Sequence, residues 1–313
     1  MFSLYNYVRI VRNDNFSMEF DRFVKFSKDP QYVFLGDSHP TFAIVMDSAH
    51  PEYANFAYPS ENWRDMRLRA ELALSLKPGI QYFVVPVDDV SLTSFRERSD
   101  HLLDMLHVAS IAQIQRIYQP SFVKLAMNLG KYTFPLLDTR NRQTLRNVVI
   151  NDAADLLTGK TKERAIAIDD SGNFMYADQK PWNQYTATDR QERTKGALVQ
   201  QFSGTLVDPV LLPVVDDFFA FAASHHVQVI GVKYPVTLEY QQYVSSMSVK
   251  EVSQFYTTKP FAFIVDKEHV FDHQQEQFLD PSHLTGSGAR LFTPLLMREI
   301  EGRVTPSSSP SPS

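Results

Sequence analysis

Short apolar runs set the rhythm of this chain. Tyr32-Val33-Phe34-Leu35 is closed by Gly36, the pattern of a strand buried on both faces. Similar runs lie at residues 82–87, 227–232 and 261–265, with a weaker candidate at 53–58. Between them stand helical patterns. Residues 63–76 are amphipathic, rich in helix formers, and stop before Lys77-Pro78-Gly79, a helix terminator. Residues 209–225 lead into the fourth run, and 284–300 form a closing helix. Alternating strands and helices predict βαβ crossovers and a parallel sheet covered on both faces.

Residues 98–205 depart from this rhythm. Their first half, 101–137, is helical in pattern; the second, 138–194, is polar and holds the turn Asp169-Asp170-Ser171-Gly172-Asn173. This reads as an insertion between the third and fourth core strands. It either lies over the carboxyl edge of the sheet, where parallel sheets bind ligands, or serves as a packing or oligomer-forming appendage. Residues 305–313 are Pro/Ser low complexity and predict a disordered tail. One α/β domain over residues 1–304 accounts for the rest.

Composition narrows the chemistry. The 313 residues carry 31 Lys+Arg against 36 Asp+Glu, a formal charge of −5, so no global basic field exists and nucleic acid is not an expected partner. The absence of cysteine removes disulfides, thiolate metal sites and Cys nucleophiles. Arg9 and Arg12 interrupt the start before any signal-peptide or membrane-spanning run develops. The expectation is a cytoplasmic chain, or an extracytoplasmic one if an anchor precedes Met1.

Two motifs carry chemistry. In Phe34-Leu35-Gly36-Asp37-Ser38-His39 a buried strand runs into a tight turn that lifts a hydroxyl to the mouth of the sheet. By itself this is equally an ordinary helix N-cap by Asp37 or Ser38. In Phe278-Leu279-Asp280-Pro281-Ser282-His283 an Asp and a His stand three apart, just ahead of the closing helix. A Ser nucleophile needs a neutral imidazole to take its proton and a carboxylate to steady that imidazole. Ser38, His283 and Asp280 supply these groups.

Gly36-Asp37-Ser38 and Asp280-x-x-His283 resemble the first and last blocks of the SGNH (GDSL-type) hydrolases. The resemblance implies a flavodoxin-like three-layer α/β/α fold with a five-stranded parallel sheet. It also implies Ser38 as nucleophile, His283 as base and Asp280 as its orienting partner. The spacing is similar to one branch, the proteins related to the alginate O-acetyltransferases and the D-alanyl-lipoteichoic-acid assembly protein. That branch modifies surface polysaccharides, which implies an acyl ester and a carbohydrate acceptor as substrates. It leaves room for a membrane-bound, acyl-supplying partner, and neither cofactor nor metal is expected.

The family's middle blocks differ here. Ser60 stands roughly where a Gly would offer its N–H to the oxyanion, a role that a Ser keeps if the turn needs no positive φ. Asp88 stands nearest the place of the family's Asn, yet an ionised carboxylate repels an oxyanion. Asn62 is the alternative donor, joining the N–H groups of Ser38 and Ser60. Asp88 and Asp89 read more simply as a solvated turn, while Asp37, His39 and Asp88 are also candidates for contacting substrate. His269 and His273 have metal-ligand spacing but read as an exposed loop. Arg140, Arg142 and Arg146 read as a solvated face. Tyr58, Trp63 and Trp182 read as core rather than as sugar-stacking platforms. The rival function is a non-catalytic module of the same fold that binds glycan or an assembly partner.

Overall fold

The structure, a computed structural model, describes residues 20, 22–25, 29–46, 50–98, 101–134, 137, 142, 166–168, 174–176, 180–247 and 250–304. The tail at 305–313, Arg9, Arg12, Arg140, Arg146 and the turn at 169–173 lie outside them.

Five parallel strands form the central sheet: β1 (Tyr32–Phe34), β2 (Tyr53–Asn55), β3 (Tyr82–Pro86), β4 (Gln228–Lys233) and β5 (Phe263–Asp266). Their spatial order is β2-β1-β3-β4-β5, the flavodoxin-like arrangement, with the order reversing between β1 and β3. Neighbouring carboxyl ends at such a reversal splay apart and leave a crevice. Ser38 follows β1 and Asp88 follows β3, so both lie at this switch point.

The pleat sorts side chains into two buried layers. Val33, Leu35, Phe83, Val85 and Val229 face one layer, and Tyr32, Phe34, Val84, Ile230 and Val265 face the other. The first layer is covered by α2 (Trp63–Leu76) and by a later helix, Leu212–Ser224; Trp63 and Phe218 meet there edge to face. The second is covered by the closing helix, Gly286–Val304, through Phe292, Leu296 and Ile300. Both tryptophans are fully buried, as core residues.

Between β3 and β4 the described residues are mainly helical. Single turns at Ser94–Glu97 and Leu102–Met105 precede α3 (Ile111–Tyr118) and α4 (Phe122–Thr133). Two short antiparallel strands, Ile166–Ile168 and Phe174–Tyr176, flank the turn read from the sequence. The polar stretch then forms α5 (Ala187–Gln201), opened by a capping box between Thr186 and Asp189. Numbering on in chain order, Leu212–Ser224 is α6, Leu238–Ser245 is α7, Lys250–Thr257 is α8 and the closing helix is α9.

Candidate active site

Leu35 leaves β1 still bonded to its neighbour, its N–H donating to the Val84 carbonyl at 2.9 Å. Gly36 then turns the chain with φ +135°, where a Cβ would stand 2.5 Å from Pro86 Cδ and 3.0 Å from Pro40 Cγ. Only glycine fits both the dihedral and the space. Asp37 caps the short helix α1 (Ser38–Ala43), accepting from the His39 N–H at 2.9 Å. Ser38 therefore opens this helix at the mouth of the switch-point crevice.

The second half of the site comes from a closed turn. Phe278 and Leu284 pair as an antiparallel bridge, and the Leu279 N–H donates to the His283 carbonyl at 2.9 Å. Both bridge residues are buried, which pins the turn to the sheet. The Pro281 carbonyl accepts from the Thr237 N–H at 2.9 Å, tying the turn to the loop after β4. Gly288 lets α9 approach closely, since a Cβ there would stand 2.4 Å from the Gln277 carbonyl oxygen.

Within the turn, Asp280 Oδ1 accepts from the N–H groups of Ser282 and His283 at 2.9 and 3.0 Å. Its Oδ2 lies 2.7 Å from His283 Nδ1, and His283 Nε2 lies 2.7 Å from Ser38 Oγ. Burial acts to raise the Asp280 pKa, but the His283 ring and the two amides outweigh it and hold the carboxyl below its usual range. An ionised carboxylate only accepts, so it selects the imidazole tautomer with hydrogen on Nδ1. Nε2 is then free to accept the Ser38 hydroxyl proton. Ser38, His283 and Asp280 are thus brought together in one hydrogen-bonded chain.

Behind Ser38 lies a buried charged network that the sequence did not disclose. Arg96, from the single turn Ser94–Glu97 just ahead of the insertion, pairs closely with Asp37, and both side chains are nearly inaccessible. His39 Nδ1 lies 3.1 Å from Asp37 Oδ1 and 3.3 Å from Asp88 Oδ2. Burial works against charging His39, yet Asp37 and Asp88 more than offset it and push its pKa up to about 10. For Asp37, burial is likewise outweighed by Arg96 and His39, and its carboxyl sits well below the usual range. The His39 ring stacks 5.6 Å from the His283 ring, forming a wall behind the reacting imidazole. Tyr234 is buried on the other side of His39, with ring centroids 6.1 Å apart. Asp37, His39 and Asp88 have ligand atoms grouped within 4.8 Å of one another; Arg96 pairs with Asp37, while Asp88 Oδ2 and His39 Nε2 are buried without a hydrogen-bond partner among the described residues.

Several expectations are corrected here. Asp37 and His39 are buried and bonded to each other, so they support Ser38 from beneath rather than line an open substrate surface. Asp88 is not a solvated turn residue, because its carboxylate is mostly buried against His39. Nor is Asn62 a free donor amide. It caps α2, its Oδ1 accepting from the N–H groups of Arg64 and Asp65 at 2.8 and 3.3 Å, while its Nδ2 donates to the Arg96 carbonyl at 3.3 Å.

Ser60 occupies an exposed turn with φ +67°, so the condition for an unstrained serine is not met, and its N–H is presented from a left-handed conformation that the surrounding contacts must hold. The turn is fixed on both sides. The Ser60 carbonyl accepts from His101 Nε2 at 3.1 Å, and the fully buried pair Arg69–Glu61 anchors the following residue. The N–H groups of Ser38 and Ser60 carry no hydrogen bond among the described residues. His269 and His273 are exposed in a turn, and His269 pairs with Asp272 instead of converging with His273 on one point.

The signal that would have exposed Arg96 is weak. It lies in the polar run Arg96-Glu97-Arg98, where a solvated face is the ordinary reading. No helix among the described residues is long and apolar enough to cross a membrane. No model of a known protein family matches the chain, and no curated protein matches it.

Proposed function

We propose that this chain is a serine-dependent acyl-transfer enzyme of SGNH type that moves an acetyl group to or from a carbohydrate hydroxyl. The observation that carries the reading is the unbroken chain Ser38–His283–Asp280, closed across 245 residues of sequence with both links at 2.7 Å. Its place at a switch point of a flavodoxin-like sheet supports the same reading. The carbohydrate acceptor and the acyl-supplying membrane partner follow from the resemblance of the two motifs to the polysaccharide-modifying branch.

In this mechanism Ser38 Oγ bonds to the ester carbonyl carbon as its proton passes to His283 Nε2. The carbonyl electron pair moves onto oxygen, and the N–H groups of Ser38 and Ser60 receive that oxyanion. Collapse expels the leaving alkoxide, which takes the proton from His283. The acyl-enzyme is then attacked by water or a sugar hydroxyl, whose proton returns through His283. Asp280 holds the Nδ1–H tautomer and stabilises the imidazolium in both halves.

A second reading draws on Asn62, whose Oδ1 caps a helix and whose Nδ2 donates to the Arg96 carbonyl, so that its amide serves the fold rather than the oxyanion. It makes the chain a glycan-binding or assembly module with weak or no catalysis. Turnover of a small acetyl ester by the wild type and by Ser38→Ala separates the two. Acyl transfer requires a loss of about 10³-fold or more in the variant. Equal rates overturn it in favour of the module.

A further inference from the structure

We propose that His101, supplied by the insertion, is a positioning residue for acyl transfer: its doubly protonated ring clamps the Ser60 carbonyl and so holds the turn that aims the Ser60 N–H at the oxyanion. The inference rests on the reading of Ser38 as nucleophile and adds a part to the same site.

The Ser60 turn needs such support. It runs from Tyr58 to Glu61 and is closed by the Glu61 N–H donating to the Tyr58 carbonyl at 3.3 Å, a long bond. Proline followed by a residue of positive φ is the arrangement of a type II turn, whose third position favours glycine. Ser60 stands there at φ +67°, a conformation that costs any residue with a Cβ. Types I and II differ by a flip of the peptide that carries the Ser60 N–H, so a turn released from the strained form aims that N–H elsewhere. The turn also abuts the nucleophile, since the Tyr58 N–H donates to the Gly36 carbonyl at 2.9 Å.

His101 grips this turn from the insertion. Leu102 and Leu103, the next two residues, are buried and fix its place. Its Nε2 lies 3.1 Å from the Ser60 carbonyl oxygen and its Nδ1 3.3 Å from Asp104 Oδ2. A carbonyl and a carboxylate only accept, so both bonds coexist only when both ring nitrogens carry hydrogen. A neutral ring keeps its proton beside the charged Asp104 and turns the Nε2 lone pair on the Ser60 carbonyl, so the clamp becomes a repulsion.

The surroundings favour the charged ring. Asp104 faces it from its own turn, Asp65 from α2 and Glu61 from the Ser60 turn, while the Tyr58 ring meets it edge-on at 5.8 Å. Glu61 in turn pairs with Arg69, and Asp65 accepts from the Tyr118 hydroxyl of α3. Burial acts to lower the His101 pKa, but Asp65, Asp104 and Glu61 outweigh it and push it up to about 9.

Turnover of a small acetyl ester by the full chain, followed against pH, tests the clamp. Nitrogen NMR of histidine-labelled protein reads the His101 ring directly, assigned by its loss in His101→Gln. In the wild type both ring nitrogens are expected to be protonated near neutral pH. As one proton leaves near pH 9, kcat is expected to fall about tenfold or more, with KM changed less than about twofold. His101→Leu is expected to show the lowered kcat already at neutral pH. His101→Gln offers a donor at every pH, so it should turn over at least about threefold faster than His101→Leu, with no fall above pH 9. Melting temperatures check that the variants fold, and the wild-type profile and ring spectrum decide the matter without them. A neutral ring near neutral pH, or His101→Leu within about threefold of wild type, overturns the clamp and leaves Ser38 in place. A fall at high pH that persists in His101→Gln also overturns it, assigning the titration to Glu61, whose carboxyl burial pushes up to about 8. No turnover by the wild type, or equal turnover by Ser38→Ala, overturns the reading of Ser38 and this inference with it.

Discussion

Two turns at the carboxyl edge of the sheet use similar side chains in opposite ways. Asn62 and Asp280 each accept from two nearby backbone N–H groups, three or fewer residues ahead. An amide that does this has only its NH₂ left, and Asn62 donates that group to the Arg96 carbonyl. A carboxylate has a second oxygen, and Asp280 Oδ2 is left for His283 at 2.7 Å. One turn consumes its polar atoms on structure, while the other is built by one oxygen and orients the base with the other. Residue chemistry, rather than nearness to Ser38, separates the candidate catalytic turn from the supporting one.

The strongest way to break this comparison is to make the second turn like the first. Asp280→Asn keeps an oxygen for the two backbone N–H groups but places an NH₂ opposite His283 Nδ1. The imidazole must then take the wrong tautomer, and kcat on a small acetyl ester is expected to fall about 10³–10⁴-fold with little change in melting temperature. A loss under tenfold contradicts the division of labour between the two carboxylate oxygens.

Arg96→Met probes the network beneath the nucleophile. It leaves Asp37 charged and buried beside His39 alone, at a cost of about 3–5 kcal/mol in unfolding free energy near neutral pH. In the wild type, Asp37 titrates below its usual range, so its contribution is fully present above that range and is lost as pH falls from there through the lowered folded value. The difference between wild type and variant should therefore narrow in acid, as urea unfolding at several pH values will measure. A difference that widens in acid contradicts the pairing of Arg96 with Asp37.

Asn62→Ala has the smallest expected effect. Loss of the cap costs about 1 kcal/mol of stability, with kcat unchanged within a few-fold. A fall of about 10²–10³ in kcat would instead make Asn62 an oxyanion donor and erase the contrast between the two turns.

The sheet was legible because its strands are buried on both faces and so read as continuous apolar runs. The helix at Trp63–Leu76 was found to the residue, since its helix formers run unbroken to Lys77-Pro78-Gly79, which stops it; the Asn62 cap that opens it went unread. The weaker run at 53–58 shortened to Tyr53–Asn55, because Phe56 and Tyr58 continue alongside β1 only through bonds to Phe34 and Gly36. Helices α7 and α8 went unread, being short and mixed in polarity. The Ser38, Asp280 and His283 grouping was visible as two local motifs. The support from Arg96 and the pairing of His39 with Asp88 was not, because each joins residues that only the sheet brings together.

The central claim is that Ser38 is an activated nucleophile, and intact-protein mass spectrometry after brief mixing with an activated acetyl ester tests it most directly. The account predicts one added acetyl group in the wild type, mapped by peptide digestion to Ser38 and missing in Ser38→Ala and in His283→Ala. No adduct in the wild type, or one that persists in Ser38→Ala, would contradict it.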